Sequence, residues 1–209
     1  MDCILALQER EALHAPLPDN VDAVRTELVT AMRGACARHY GGENLRTLSM
    51  AVAFLDRALA SRLGGDFLWR AELPGVLLML AMKFADSHAP FPYMIAEEYG
   101  VAVEDVKETE MLVFQQLTMD VFVVTPYDFI EGLFLEIPAE SGAVVLYGVL
   151  TALYLVPYRV YPPSVVAAAI LAVALPEAAP DGAVFRFLES MDGRAPEVLG
   201  CVQRLVRGQ

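Results

Sequence analysis

The sequence contains little cysteine, histidine or lysine. Its three cysteines, Cys3, Cys36 and Cys201, are far apart, so they form neither a disulfide framework nor a CxxC metal pair. Its three histidines fall in no HExxH or HxH spacing. The sequence therefore indicates no metal site, and its cysteine usage is typical of a reducing compartment.

Sequence motifs of catalysis are also absent. The glycine pairs at 41–42 and 64–65 are typical of helix ends and form neither a GxGxxG nor a GxxxxGK[ST] phosphate loop. No GxSxG nucleophile elbow is present. Most carboxylates are scattered as on a solvated surface, so the sequence predicts no enzyme.

Basic residues are outnumbered, with 15 against 27 acidic ones and a net charge of −12. Such a chain is repelled by phosphate backbones and by anionic lipid headgroups. Nucleic acid and the membrane surface are therefore disfavoured as partners, and a protein partner is predicted.

Hydrophobic residues make up 56% of the chain and charged residues only 20%, which indicates either helices buried on several sides or a membrane span. Residues 141–158 are 18 uncharged residues, at the threshold for a spanning helix. The next uncharged run is broken by Pro162 and Pro163, and no basic cluster flanks either run. Buried core helices are the preferred interpretation, with membrane insertion as the alternative.

The first residues of the sequence already include acidic and basic side chains, unlike a signal peptide. This opening predicts an intracellular protein in nucleus and cytoplasm.

Apolar residues follow a helical period almost throughout, which predicts an all-α fold. A linker at 123–126, with Thr125 as a helix cap, separates two sets of about five helices. The stretches PGVL at 74–77 and PSVV at 163–166 form a faint repeat. The predicted divisions are an N-terminal helix and linker at 1–20, a first unit at 21–122 and a second at 123–209. The predicted helices are 2–14, 21–40, 44–61, 73–86, 93–99, 103–118, 127–135, 141–156, 164–175, 182–191 and 196–207.

Four charged residues fall within apolar stripes of these helices. Lys83 follows Leu80 by three positions, and Glu110 follows Val106 by four. Arg25 and Asp56 hold similar positions on earlier helices. Charges on inward faces are costly unless paired, so we predict the pairs Arg25–Asp56 and Lys83–Glu110. From spacing alone, the preferred interpretation is that both pairs only fix the helix register inside a core, with a functional role as the alternative. The chain has 13 arginines and only two lysines, so a lysine at position 83, within an apolar stripe, indicates a need for a compact ammonium group.

Five segments together resemble the cyclin family. In order and spacing, the first three resemble the cyclin box, and the last two look most like D-type cyclins. They are residues 50–59 (MAVAFLDRAL), 77–84 (LLMLAMKF), 110–117 (EMLVFQQL), 124–131 (VTPYDFIE) and 162–168 (PPSVVAA).

The resemblance implies the cyclin fold, two tandem five-helix repeats after an N-terminal helix. It further implies a non-catalytic regulatory subunit that binds and activates a cyclin-dependent Ser/Thr kinase in cell-cycle progression, with ATP and magnesium belonging to the kinase. Arg25 and Asp56 match the family's buried structural pair. By the same resemblance, the kinase-binding residues are Lys83, Glu110, Leu80, Phe84, Phe114 and Met119.

The sequence departs from the family at the substrate-docking patch, which matches Val24, Glu27, Leu28 and Ala31. The family usually has a hydrophobic residue and a tryptophan at the positions of Glu27 and Ala31. The resemblance therefore does not support docking of Arg-x-Leu substrates, or of inhibitors that use the same groove. The LxCxE motif and long C-terminal tail of cellular D-type cyclins are also missing, as in the cyclins of large DNA viruses. A cyclin-fold scaffold or transcription adaptor without a kinase is the alternative, although such relatives usually carry a basic surface.

Overall fold

The computed structural model describes residues 22–40, 44–60, 70–85, 89–117, 121–157, 160–176 and 182–207. All regular structure within these ranges is helical, which confirms the predicted all-α class. The α-helices are α1 Asp22–Tyr40, α2 Leu45–Ala60, α3 Leu73–Ala85, α4 Pro92–Tyr99, α5 Val103–Gln116, α6 Pro126–Leu133, α7 Ala139–Leu155, α8 Pro163–Ala174, α9 Ala183–Ser190 and α10 Ala195–Arg207.

The described chain divides into two compact units between Val123 and Val124, so that α1–α5 lie in the first and α6–α10 in the second. The predicted N-terminal helix at 2–14 lies outside the described residues. Among the described helices, none combines the length and apolar character that crossing a bilayer requires.

Helix α3 is the centre of the first unit. It contains no charge before Lys83, and its first ten residues, Leu73 to Met82, are all buried. A helix that is apolar on every side must be surrounded. Accordingly, α3 packs against α1, α2 and α5.

Helix α8 has the same role in the second unit. Every residue from Pro163 to Leu171 is buried, and α8 packs against α6, α7, α9 and α10. Small side chains allow this close packing: a Cβ at Gly148 of α7 would lie 2.8 Å from Ile170 Cγ2 of α8. The apolar runs in the second half of the sequence thus supply a helix core.

The second unit begins with the capped helix α6, which ends earlier than predicted. The Asp128 carboxylate accepts hydrogen bonds from the Thr125 backbone N–H (2.7 Å) and hydroxyl (2.8 Å), which fixes the start of α6. Helix α6 ends at Leu133 rather than Leu135, and a 3-10 turn, Phe134–Glu136, follows. The last turn tightens there because orphan carbonyls at a helix end are readily satisfied by i→i+3 hydrogen bonds.

A close approach in the first unit makes Gly75 sensitive to substitution. A Cβ at Gly75 would lie 2.6 Å from Tyr99 Cε2 and 3.0 Å from Ile95 Cγ2. We expect Gly75→Ala to lower the free energy of unfolding by about 1–3 kcal/mol, because the ring must move in a packed core. Urea denaturation measures this.

Gly132→Ala is the matched control, since nothing lies within 4 Å of a Cβ there. Gly132 lies in the last turn of α6, where this change is expected to be neutral or to stabilise the protein by up to about 1 kcal/mol. A Gly75→Ala protein as stable as wild type would contradict the close packing of Tyr99 on α3.

Candidate functional site: the Lys83–Glu110 surface

An ion pair joins the last turn of α3 to α5. The Lys83 ammonium Nζ donates a hydrogen bond to Glu110 Oε1. Lys83 is 37% exposed and Glu110 23% exposed. The two charges lie at the boundary between core and solvent, where the pair is accessible to a partner.

This position differs from the inward one that the sequence spacing predicts. On α5 the buried positions are Val106, Thr109 and Val113, so the buried face is centred on Thr109 and Glu110 lies at its edge. Thr109 was not included in the predicted stripe because it is polar. Its burial has a specific cause in a buried hydrogen-bond network.

That network joins the beginning of α3 to α5. The Thr109 hydroxyl donates to Glu72 Oε1 (2.6 Å) and accepts from Arg70 Nη1 (3.0 Å). Arg70 also pairs with the exposed Glu108, at 3.0 Å between Nη2 and Oε2. Glu72 is only 3% exposed, and its charge is compensated by Arg70, whose Nη1 lies 3.8 Å from Glu72 Oε1. Helix α3 is thus fixed to α5 at both ends, which holds Lys83 and Glu110 in place.

Exposed apolar side chains adjoin both members of the ion pair along their helices. Phe84, next to Lys83, is 46% exposed, and Met111, next to Glu110, is 54% exposed. Phe114 is half-buried, whereas Leu80 is buried in the core one turn before Phe84. Met119 lies outside the described residues. Met111 was missed by sequence reasoning, although its position beside Glu110 was a signal that could have included it.

A second predicted pair, Arg25–Asp56, connects α1 to α2. Arg25 Nε donates to Asp56 Oδ1 at 2.6 Å and Arg25 Nη2 donates to Oδ2 at 3.1 Å. Both side chains are buried, at 1% and 4% exposure. This two-bond geometry satisfies both groups inside the core, and no surface remains for a partner.

The residues matching the docking patch lie on the outer side of α1. Glu27 is exposed, and Val24, Leu28 and Ala31 are half-buried. The exposed centre of this patch is a carboxylate rather than a large hydrophobic side chain, so it offers little apolar area to a peptide.

A further charged cluster links the end of α1 to α4. Glu98 accepts from Arg38 Nε at 2.9 Å and lies 3.0 Å from His39 Nε2. The hydrogen bond to Glu98 raises the pKa of Arg38 above its ordinary value. Burial, with the Glu98 charge, raises the pKa of the adjacent Tyr99 to about 12.

The raised pKa of Tyr99 predicts a pH dependence of stability. In the unfolded chain tyrosine ionises near pH 10, whereas folded Tyr99 keeps its proton until about pH 12. Its contribution to stability is therefore complete below pH 10 and is lost as the pH rises to about 12. Tyr99→Phe cannot ionise, so we expect its stability to fall less over this range in denaturant titrations.

Tyr147→Phe, at an exposed position on α7, is the control. Its stability should fall between pH 10 and about pH 12 as much as that of the wild type does. The Tyr99 hydroxyl is buried and has no hydrogen-bond partner among the described residues, so removing it leaves no group unpaired. Identical pH profiles for Tyr99→Phe and wild type would contradict the prediction.

The described residues contain no metal-binding cluster, and their cysteines are buried. Among them, no cluster of three or more histidine, cysteine or acidic side chains could hold a metal ion. Cys36 and Cys201 are buried, and burial raises the pKa of Cys201 to about 12, which keeps it a thiol at neutral pH. The arrangement of a charged pair within an apolar rim is suited to binding a protein.

Two five-helix units with this helix order define the cyclin fold, as predicted. The chain is similar to a viral cyclin from Herpesvirus saimiri, with a TM-score of 0.74 and 16% identity over 99% of this chain and 97% of that one. It is also similar to a chain of the CAK complex of Chaetomium thermophilum bound to ATP-gamma-S, with a TM-score of 0.67 and 16% identity, covering 99% and 70% of the two chains.

A third similar structure belongs to the yeast TFIIK complex of Kin28, Ccl1 and Tfb3. Its TM-score is 0.61 at 14% identity, covering 98% of this chain and 90% of that one. No protein-family model matches the sequence, and a search of curated proteins gives no match. The similarity is therefore one of fold.

Proposed function

We propose that this protein is a cyclin, a non-catalytic regulatory subunit that binds and activates a cyclin-dependent Ser/Thr protein kinase and promotes cell-cycle progression. The observation that carries the proposal is the Lys83–Glu110 pair, which lies within an exposed apolar rim on a cyclin fold. The apolar side chains would supply affinity, and the two charges would fix the register of the partner.

Activation in this proposal is a shift in the kinase's conformational population. A subunit that binds the active arrangement of the kinase better than the inactive one tilts the equilibrium by the difference in affinity. The cyclin then needs no reactive group of its own, and ATP and magnesium are held by the kinase. Sites for a cofactor or a metal are not part of this function.

We further propose a D-type-like cyclin of viral origin that acts in the nucleus and cytoplasm. The segments VTPYDFIE at 124–131 and PPSVVAA at 162–168 support the D-type likeness. The near-complete coverage of both chains in the comparison with the Herpesvirus saimiri cyclin supports the proposed viral origin. The exposed carboxylate of Glu27 supports a cyclin that does not recruit substrates through the α1 patch.

The deciding experiment is purification of the full chain with each member of a panel of cyclin-dependent kinases, followed by a phosphorylation assay. Each kinase is tested with and without its activation-segment phosphate. Stable recovery of a kinase together with increased phosphorylation is expected. Recovery of no kinase by a folded chain would overturn the proposal and would favour the cyclin-fold scaffold or adaptor.

A further inference from the structure

The side chains of Arg70, Glu72 and Thr109, here called the Thr109 network, tie the beginning of α3 to α5. Glu72 is bound into the first turn of α3, because its carbonyl accepts a hydrogen bond from the Val76 N–H at 2.9 Å. Its carboxylate accepts from the Thr109 hydroxyl at 2.6 Å, and both residues are buried, at 3% and 0% exposure. The hydrogen bond therefore joins a fixed point of α3 to a fixed point of α5.

The Lys83–Glu110 pair is a second tie between the same two helices. On α3 the two ties are well separated, since Glu72 and Lys83 are about 16 Å apart along the helix axis. On α5 they are at consecutive residues, Thr109 and Glu110, which project about 100° apart around the axis. A rotation of α5 that moved Glu110 away from Lys83 would therefore also displace the Thr109 hydroxyl from its partner.

The chemistry of the Thr109 network makes this first tie sensitive to direction. The Thr109 hydroxyl donates to Glu72 while it accepts from Arg70 Nη1 at 3.0 Å, so its position is fixed from two sides. Hydrophobic contacts are non-directional, whereas hydrogen bonds weaken steeply on misalignment. A rotated α5 would also leave a buried carboxylate without its hydroxyl donor, which is costly. The network thus favours one orientation of α5.

We propose that the Thr109 network positions the surface that recognises the kinase. Thr109 is a positioning residue: it fixes the rotation of α5 and thereby holds Glu110 beside Lys83. Its side chain is wholly buried and out of reach of a partner, so it acts on the kinase only through Glu110. A surface whose geometry is fixed before binding loses less conformational entropy on binding. The inference rests on the proposed kinase-binding function of the Lys83–Glu110 surface.

A purely structural role for Thr109 has different consequences. Loss of a buried hydrogen bond lowers the free energy of unfolding in either case, so stability does not separate the two roles. Only the positioning role makes kinase affinity depend on Thr109 by way of Glu110. Residues that act as one unit give non-additive effects when they are changed together, and a double-mutant cycle measures this.

The test is isothermal titration calorimetry of the full chain with the kinase that the panel experiment recovers. Thr109→Val keeps the shape of the side chain and removes its hydroxyl. It should weaken kinase binding about tenfold, within the range for residues that do not touch the ligand. Thr109→Ser keeps the hydroxyl and should bind within about twofold of the wild type. In a Glu110→Gln background, Thr109→Val should weaken binding by less than about twofold, because the side chain that it positions is already altered.

Val29→Ala is the control for lost stability. Val29 is buried in the same unit, on α1, and its truncation leaves a cavity. It should lower the free energy of unfolding and leave kinase affinity unchanged.

Arg70→Lys serves as the second variant if Thr109→Val does not fold. It keeps the charge that compensates Glu72 but lacks the planar fork that reaches Thr109 and Glu108 together. It should weaken kinase binding when Glu110 is intact and have little effect in the Glu110→Gln background.

The outcomes separate this inference from the proposed function. Failure of the wild-type chain to bind any kinase would overturn both. Wild-type binding, with Thr109→Val weakening it equally in the two backgrounds, would overturn the inference alone. Equal weakening by Val29→Ala, or a Thr109→Val protein that binds as tightly as wild type, would do the same.

Discussion

Lys83→Ala is expected to abolish kinase activation while leaving a folded, helical protein. Lys83 is the only charge in α3 and lies beside the exposed Phe84, so its loss removes the central polar contact of the proposed kinase surface. Because Lys83 is 37% exposed, we expect its truncation to cost little stability. Truncation of such a central residue costs about 2 kcal/mol or more, which corresponds to about thirtyfold weaker kinase binding.

The matched control is Lys107→Ala. Lys107 is the chain's other lysine, and it lies exposed on α5, the same helix as Glu110. Kinase affinity and phosphorylation rate are measured for both variants, with circular dichroism to verify folding. Normal activation by folded Lys83→Ala would contradict the assignment of this surface.

A charge exchange distinguishes a contact role from a purely structural one. In Lys83→Glu with Glu110→Lys, the two side chains can still pair, so a register-fixing role within α3 and α5 would be preserved. A partner whose charges are complementary to Lys83 and Glu110 in their native positions would be repelled by the exchanged pair. We therefore expect the exchanged protein to fold and to fail in activation.

Arg25→Ala and Asp56→Ala are expected to have the largest effects on stability. Each removes the ion-pair partner of a charge buried in the core, since Arg25 and Asp56 are 1% and 4% exposed and bind each other at 2.6 Å. Breaking a buried pair in this way costs about 3–5 kcal/mol in the free energy of unfolding. Urea denaturation of the purified chain measures the loss.

The double variant Arg25→Met with Asp56→Leu tests the physical cause. It replaces both charges by apolar groups, so no desolvated charge is left, and most of the lost stability should return. Glu197→Ala, which breaks the solvent-accessible Arg194–Glu197 pair at the start of α10, should cost no more than about 1 kcal/mol. A small effect for Arg25→Ala would contradict the buried-pair interpretation.

The fold could be predicted from sequence because its helices are strongly periodic and clearly interrupted. Helix α4 ends at Tyr99 and Thr125 caps α6, both as predicted, and the buried parts of α3 and α8 are apolar on all sides, as core helices must be. The bounds differ most around residues 133–141, where a 3-10 turn replaces the end of a helix. Such tightening depends on local hydrogen bonds that periodicity does not reveal.

The site could be predicted only in part. Spacing identifies Lys83 and Glu110 as charges close to apolar stripes, and the structure brings them together. Spacing could not show that Glu72 and Thr109 are buried together, since a polar pair formed by a turn and a separate helix has no sequence period. That hidden hydrogen bond centres the buried face of α5 on Thr109 and places Glu110 at the surface. The kinase-binding role of the pair stays a prediction.

The scarcity of lysine makes the proposed surface easy to follow by amine chemistry. Acylating reagents can modify only two side chains in the whole sequence, and the structure places both on the first unit, with Lys83 on α3 and Lys107 on α5. A partner seated over α3 would protect Lys83 and leave Lys107 reactive, so the ratio of the two acylated peptides serves as an internal footprint of binding. The same chemistry that reports the interface would also block it, because acylation removes the charge that Glu110 holds in place.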